Sequence, residues 1–463
     1  MAERTINRYR YWCNTESSFK YEWAETAPAE CVTDSGHSID GGSVTIVDTV
    51  SDRNRFVRGA NTGGDGQQYN ASVSAAGELS VDVPFSAFGG LRVTPEHPVI
   101  QVDARYGLDP LIFAEDTTSS GDISSADTVI TLSSGTSSSG SAVLTSRKYM
   151  TYKAGYGAYM MFTTAFDAPR SGNIQIAGGG SEDNGVFVGY NGTTFGALRR
   201  CDGDQTWYPK TSWNADRVDG SGGSGQTIDP QKFNMWKIEF QWLGYGVIRW
   251  MVANPATGRF VTVHEACLAN TATTKPSMMN PSFPMRIECS NSSGGTDVEL
   301  RFTCFGAFLE GTRNFLGLTW GVDNTTTVSS NYWVRNVITI RNKHTFRGTV
   351  PFINVTLVHM AIGAEGTKSV EVYLVKNADI SGSQNYRDVN SDSSVVEYDT
   401  NGTYISNGTT INVIAASRNS TQNVDLSSFN VNLIKGDTVT VACRLFGSGS
   451  NDVVASLTWQ EDR

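Results

Sequence analysis

Met235-Trp-Lys-Ile-Glu-Phe-Gln-Trp-Leu-Gly-Tyr-Gly-Val-Ile-Arg-Trp-Met-Val252 has the pattern of a β-hairpin. Apolar and polar side chains alternate on both sides of a central turn, as the two-residue period of a strand requires. Leu243-Gly-Tyr-Gly246 supplies the turn, because its two glycines are free to adopt positive φ. The apolar face comprises Trp236, Ile238, Phe240 and Trp242 on the first strand and Ile248, Trp250 and Val252 on the return strand. Because the large apolar side chains share one face, the pattern predicts a sheet with one buried face.

Composition extends this prediction to the whole chain. Only 18% of the 463 residues are charged and 47 are glycine, which is typical of an all-β protein with many turns. The length exceeds what one core usually serves, so we expect about three structural units. The net charge of −10 argues against binding to nucleic acid or to an anionic membrane through a basic surface.

The strand pattern divides the chain into an N-terminal segment and two larger units. Many short strand-like runs bounded by Gly, Asn, Asp or Pro predict a lectin-like jelly-roll in the middle, and a new strand series predicts a C-terminal β-sandwich. The predicted boundaries are a small N-terminal β module at 1–60, a linker or long loop with a strand at 61–94, the jelly-roll at 95–311, a connecting strand region at 312–340 and the sandwich at 341–463.

Several motifs resemble a family of virion proteins of tailed bacteriophages and some large DNA viruses. The N-terminal ones are Tyr11-Trp-Cys-Asn-Thr-Glu16, Thr26-Ala-Pro and Cys31 with His37-Ser-Ile-Asp40. Those further along are Asn184-Gly-Val-Phe-Val-Gly-Tyr-Asn-Gly192, Ile228-Asp-Pro-Gln, Trp242-Leu-Gly-Tyr-Gly, Asn254-Pro-Ala-Thr-Gly-Arg-Phe-Val261 and Leu457-Thr-Trp-Gln-Glu-Asp462. The similarity spans nearly the whole chain and lies in structural turns and strand cores.

The resemblance implies a structural or fibre-like component of a virus particle. It leaves capsid surface, neck, tail fibre and baseplate open as locations, and it implies other virion proteins as partners and a homo-oligomer, with a trimer favoured. The N-terminus lacks the apolar core of a secretory signal, and no segment approaches the length of about 18 apolar residues needed for a membrane span. We therefore expect synthesis in the host cytoplasm without a signal peptide, and no partner that is a membrane or a nucleic acid.

Cys13, Cys31 and His37 are candidate metal ligands, because thiolates and imidazoles are ordinary ligands of zinc. A fourth ligand would have to be Asp34, Asp40 or a more distant residue. One alternative is a Cys13–Cys31 disulfide, which would stabilise a module whose core is too small to keep it folded. The other is plain buried thiols beside a hydrogen-bonded histidine. We expect no cofactor.

Enzymatic motifs do not appear in the sequence. His97, His264, His344 and His359 are isolated, and no nucleophile elbow, HExxH motif or phosphate-binding loop accompanies them. Glu182-Asp183 resembles the carboxylate pair that a glycosidase needs, but its position before Asn-Gly first predicts a turn. We therefore expect a protein without catalytic activity.

Trp207, Tyr208 and Trp213 form the predicted carbohydrate platform. They lie in a region rich in Asp, Gly and Pro where no strand obviously requires them, and the alternative is that they cap the sandwich core or pack against another subunit. Asp202, Asp204, Asp216 and Asp219 flank them and offer oxygen ligands to calcium, although no Asp-x-Asp-x-Asp-Gly loop is present.

The sequence thus predicts a non-enzymatic structural protein of a tailed virus particle that acts through assembly contacts. The main alternative is a receptor-binding adhesin that recognises a host surface glycan through the central jelly-roll. A third hypothesis is a polysaccharide depolymerase tailspike, which would require a carboxylate pair facing a groove.

Overall fold

A computed structural model of the chain describes residues 5–24, 26–34, 36–51, 55–57, 71–73, 79–80, 96–271, 274–292, 295–311 and 317–462. Every strand pair in it is antiparallel, and the helical segments within these ranges are two single 3₁₀ turns, Lys210–Ser212 and Ser427–Phe429. The all-β prediction is confirmed. The chain divides into two compact units, 1–93 and 94–463. Within the described ranges, no helix has the length and apolar character needed to cross a membrane.

The N-terminal unit is built on a three-stranded sheet of order β2-β1-β3, formed by β1 (Thr5–Cys13), β2 (Ser18–Ala24) and β3 (Ile39–Ser51). Three short strands form a second sheet: β4 (Arg55–Val57), β5 (Ala71–Val73) and β6 (Leu79–Ser80). Among the residues that the structure describes, the buried core of the first sheet comprises Tyr9, Tyr11, Cys13 and Cys31. Most of the predicted linker at 61–94 lies outside the described residues.

The central jelly-roll packs a sheet of eight strands against a sheet of seven. The eight-stranded sheet has the order β19-β18-β17-β12-β21-β10-β9, with β7 beside β21. Its strands are β7 (Glu96–Asp103), β9 (Asp122–Ala126), β10 (Val129–Ser133), β12 (Gly157–Ala165), β17 (Asn234–Phe240), β18 (Ile248–Ala253), β19 (Phe260–Ala266) and β21 (Glu299–Glu310).

The seven-stranded sheet has the order β16-β15-β14-β13-β20-β11-β8. Its strands are β8 (Phe113–Thr118), β11 (Ser141–Met150), β13 (Asn173–Gly180), β14 (Gly185–Asn191), β15 (Thr194–Cys201), β16 (Asp204–Pro209) and β20 (Phe283–Asn291). One large core fills the space between the two sheets, as in other face-to-face sheet packings.

The predicted hairpin forms β17 and β18, which lie between the edge strand β19 and β12 in the eight-stranded sheet. Its inward side chains are buried as the alternation predicts, namely Trp236, Ile238, Phe240, Ile248, Trp250 and Val252. The turn differs from the prediction in two respects. Leu243 takes positive φ together with Gly244, whereas Gly246 does not. The first strand ends at Phe240, so Trp242 lies in the connection, where its indole N–H donates to the Met278 carbonyl and its ring packs against the core edge.

The C-terminal β-sandwich pairs a five-stranded sheet with a six-stranded one. The five-stranded sheet has the order β22-β34-β24-β31 with β32 beside β24, and the other has the order β27-β28-β23-β33-β25-β30. The first sheet contains β22 (Thr319–Val328), β24 (Asn354–Gly366), β31 (Ser420–Asp425), β32 (Asn432–Leu433) and β34 (Asn451–Asp462). The second contains β23 (Arg335–Asn342), β25 (Val370–Lys376), β27 (Arg387–Asp388), β28 (Val396–Asp399), β30 (Thr409–Ala416) and β33 (Thr438–Leu445), while β26 (Asp379–Ile380) pairs only with β29 (Ile405–Ser406).

This sandwich begins earlier than the predicted boundary at residue 341. β22 pairs with β34 along its full length, and β23 pairs with β33, so residues 319–342 supply one strand to each sheet. The predicted connecting region at 312–340 is therefore largely part of the sandwich. The sequence pattern does not show this pairing, because the partner strands lie about 100 residues or more away.

Candidate functional site

The three aromatic residues of the predicted carbohydrate platform do not share one surface. Trp207 and Tyr208 are neighbours on β16, so the strand places them on opposite faces of the sheet. Tyr208 points inward, where its ring lies 4.5 Å from the His264 ring and 5.7 Å from the Trp250 ring. Trp207 is half-buried on the outer face, against a cluster that contains Leu198.

Trp213 belongs to the core. Its side chain is 4% exposed, its ring lies 6.1 Å from the Phe195 ring, and its indole N–H donates to the Tyr208 carbonyl. This placement matches the alternative in which the aromatic residues cap the sandwich core. Among the predicted residues, Trp207 alone keeps a partly exposed ring that faces away from that core.

The outer face beside Trp207 carries a buried ion triad. Glu288 on β20 accepts hydrogen bonds from Arg286 at 3.0 Å and from Arg200 at 3.2 Å, and the Arg200 guanidinium lies 5.0 Å from the centre of the Phe187 ring. Burial alone would raise the pKa of Glu288, but the two arginines outweigh it and lower that pKa. The two arginines neutralise the Glu288 carboxylate, so we assign the triad a structural role.

The four aspartates near the predicted platform are separated by their local partners. Asp202 pairs with Lys275 at 2.7 Å, Asp219 accepts hydrogen bonds from Ser221, and Asp216 accepts from two backbone amides in its own loop. Within the described residues, these aspartates do not form a group that could hold a metal ion. The predicted calcium site is not assembled.

Glu182 and Asp183 are exposed in the turn between β13 and β14, where the Asp183 amide donates to Ser181 Oγ. They therefore lie where the turn prediction places them. His264 is buried beside aromatic rings, and burial lowers its pKa even though Glu265 opposes this shift. His359 is half-buried on β24.

Cys13, Cys31 and His37 converge in the N-terminal unit, and both thiols are free. The two predicted fourth ligands, Asp34 and Asp40, instead accept hydrogen bonds from the backbone amides of Gly36 and Gly42.

A different group of aromatic side chains is exposed at one end of the C-terminal sandwich. Tyr332 is 81% exposed, Trp333 is 66% exposed and Tyr404 is 38% exposed. The rings of Trp333 and Tyr404 lie 6.2 Å apart, and the Arg335 guanidinium lies 5.8 Å from the centre of the Tyr404 ring. We call Tyr332, Trp333 and Tyr404 the aromatic shelf.

Backbone and hydroxyl contacts fix the two loops of the aromatic shelf. Ser330 Oγ accepts hydrogen bonds from the amides of Tyr332 and Trp333, and its carbonyl accepts one from Leu445 at the end of β33. On the other side, Arg335 and Tyr404 form an isolated antiparallel bridge. The two loops therefore present their rings from defined backbone positions.

Polar groups border the aromatic shelf. Ser381 Oγ lies 2.9 Å from Thr403 Oγ1 and donates to the Tyr404 carbonyl, while Gln384 is exposed nearby in sequence. Flat apolar rings bordered by hydroxyl and amide groups are the usual composition of a small-ligand surface.

The sequence did not reveal the aromatic shelf, because its pattern predicts a connecting strand region over 312–340. The strand begins at Arg335, and the preceding residues form a turn. One signal was present: two adjacent aromatic residues cannot both face the core of a strand. No local signal connects them to Tyr404, which only the sheet topology brings close.

Comparisons with known proteins add structural neighbours. No protein-family model matches the chain, and neither does any curated protein. Matching solved structures include the cellulose induced protein Cip1, at 13% identity and a TM-score of 0.30 over 45% of this chain and 96% of that one. A legume lectin-like domain from Entamoeba histolytica matches at 7% identity and a TM-score of 0.29, over 45% and 96%.

A glycosyl hydrolase family 16 protein from Mycobacterium smegmatis matches at 10% identity and a TM-score of 0.29, over 43% of this chain and 93% of that one. At such identities and scores, these matches carry no argument about what this chain binds or catalyses.

Proposed function

We propose that this protein is a non-enzymatic carbohydrate-binding protein and that the aromatic shelf is its contact surface. The observation that carries the proposal is the exposure of the Trp333 ring beside Tyr404. Burying a large apolar side chain is worth about 1.5–3 kcal/mol relative to leaving it in water. A fixed pair of exposed rings is therefore a typical mark of a surface that is covered by a partner.

The chemistry of the aromatic shelf suits a sugar. A pyranose ring has a face of C–H groups, which can lie on an indole or phenol ring, and a rim of hydroxyls that needs hydrogen-bonding partners. Trp333 and Tyr404 offer rings for the C–H face. Ser381, Thr403 and Arg335 border these rings and offer hydrogen-bonding groups for the sugar hydroxyls. Tyrosine and tryptophan suit contacts that stay partly exposed to solvent, because each combines an apolar ring with a polar hydrogen-bonding group.

Trp207 supports a second location for the same function, on the central jelly-roll. Its ring is partly exposed on the outer face of the seven-stranded sheet, beside the exposed Gln205, which accepts a hydrogen bond from the indole N–H. This location is the one that the sequence predicts for an adhesin. It offers a single ring, whereas the aromatic shelf offers the neighbouring rings of Trp333 and Tyr404.

The resemblance to virion proteins supports a role on a virus particle. There, a carbohydrate-binding surface would attach the particle to a host surface glycan, with other virion proteins and further copies of this chain as assembly partners. The virion location and the trimer remain predictions. An exposed patch rich in Trp, Tyr and Arg also suits a protein interface, so assembly through the aromatic shelf is the competing outcome.

A glycan array probed with the purified full-length chain tests the proposal. We expect a small set of related glycans to bind, with the signal lost in Trp333→Ala and kept in Trp207→Ala. If only Trp207→Ala loses the glycan signal, the binding site lies on the jelly-roll instead. If no glycan binds and Trp333→Ala instead changes the oligomeric state, the aromatic shelf is an assembly surface and the proposal fails.

A further inference from the structure

The N-terminal sheet brings four potential metal ligands together from two loops. Cys13 is the last residue of β1 and Glu16 lies in the turn to β2, while Cys31 and His37 lie in the loop between β2 and β3. Backbone hydrogen bonds hold the loops in place, from Asn14 to the Ser38 carbonyl and from His37 to the Asp34 carbonyl.

The four ligand atoms all lie within 4.8 Å of one another. Cys13 Sγ is 3.9 Å from His37 Nδ1, and Glu16 Oε1 is 3.3 Å from the same nitrogen. Bonds of about 2.0–2.3 Å to a tetrahedral zinc ion place its ligand atoms about 3.3–3.8 Å apart. Small side-chain adjustments would therefore bring the group to zinc-binding geometry.

The surroundings of the ligand atoms also suit a bound cation. Both thiols are buried, and the side chains of Glu16 and His37 beside them are half-buried. A thiolate in such a place requires a compensating positive charge, which a metal ion would supply.

We propose that Cys13, Glu16, Cys31 and His37 bind a structural zinc ion. Two thiolates and an imidazole select a borderline-soft metal, and four protein ligands close the coordination sphere as in structural sites. In the described part of this sheet the buried core consists of Tyr9, Tyr11, Cys13 and Cys31, and so small a core usually needs a metal or a disulfide. Zinc would fix both loops at one end of the sheet.

The sequence signal was partial. The turn after β1 contains Cys-x₂-Glu instead of the usual Cys-x₂-Cys spacing of zinc sites. The sequence pattern therefore did not predict Glu16 as a ligand. Glu16 replaces the predicted Asp34 or Asp40 because the turn directs its carboxylate to His37.

The metal content of the full-length chain, purified with reductant and without chelator, tests the proposal. We expect about one zinc per chain by elemental mass spectrometry. Cys13→Ser and Cys31→Ser should abolish this zinc, whereas Cys267→Ser, at an exposed cysteine outside the group, should retain it. Glu16→Gln should weaken zinc affinity by at least about 10-fold, the lower end of the loss seen when a residue that only hydrogen-bonds to a metal ligand is changed.

Cobalt substitution gives a readout that does not depend on the folding of the variants. Co²⁺ bound by the wild-type chain should show thiolate charge-transfer absorption together with visible bands typical of tetrahedral cobalt. The proposal is overturned if the reduced chain binds neither Zn²⁺ nor Co²⁺. It is also overturned if peptide mapping finds a Cys13–Cys31 disulfide in the chain purified under reductant.

Discussion

Asn354 at the start of β24 hydrogen-bonds to both backbone polar groups of Tyr149 near the end of β11. The Tyr149 amide donates to Asn354 Oδ1 at 3.2 Å, and Asn354 Nδ2 donates to the Tyr149 carbonyl at 2.9 Å. Nδ2 also donates to Thr151 Oγ1 at 3.2 Å. One buried side chain thus joins the jelly-roll to the C-terminal sandwich.

Asn354→Ala should destabilise the folded chain by at least about 2 kcal/mol, because it leaves buried backbone groups of Tyr149 without partners. Chemical denaturation measures the change in the free energy of unfolding. Asn191→Ala, at an exposed position on β14, is the control and should stay within about 0.5 kcal/mol of wild type. Equal stability of the two variants would contradict a role for Asn354 in joining the sandwiches.

Gly189 occupies a site in the seven-stranded sheet that excludes every other residue. Its φ is +156°, and a Cβ there would lie 1.9 Å from the Gln175 carbonyl oxygen on β13. Gly189→Ala should therefore cost more than about 2 kcal/mol of folding stability or prevent soluble expression. Gly223→Ala is the matched control, because a Cβ there meets nothing within 4 Å. Wild-type stability in Gly189→Ala would contradict the close approach of β13 and β14 at Gly189.

His264 makes the stability of the jelly-roll dependent on pH. Burial lowers its pKa from 6.5, with Glu265 opposing the shift, so the folded state favours the neutral ring. The unfolded state then binds more protons, and stability should fall as the pH drops below about 6.5.

His264→Phe keeps a ring beside Tyr208 and Trp250 but removes this titration. Urea unfolding at pH 7.5 and at pH 5.5 should show a smaller acid loss in the variant than in the wild type. Identical losses would mean that other groups account for the acid sensitivity.

The sequence predicted those parts of the fold whose pattern is local. Alternation over 235–252 located the hairpin, and burial of Trp236 and Trp250 followed from it. Pairings over long distances, such as β22 with β34, left no local trace, and the domain boundary was misplaced for that reason.

The candidate sites were less predictable. Trp213 lies in an irregular segment where composition suggests exposure, yet it packs into the core against Phe195. Trp333 falls in the predicted connecting strand region, and its neighbour in space, Tyr404, is 71 residues away in sequence. Cys13, Cys31 and His37 were recognised by residue type, because their chemistry rather than their spacing singles them out.

Carbohydrate binding by the aromatic shelf can be measured directly. The most direct test is a calorimetric titration of the best glycan from the array into the wild-type chain, Trp333→Ala and Tyr106→Ala. Tyr106, which is 89% exposed on the jelly-roll, controls for the loss of an exposed ring. We expect Trp333→Ala to weaken binding at least about 10-fold, which corresponds to about 1.4 kcal/mol, while Tyr106→Ala binds as the wild type does. Unchanged affinity in a folded Trp333→Ala variant would contradict carbohydrate binding through the aromatic shelf.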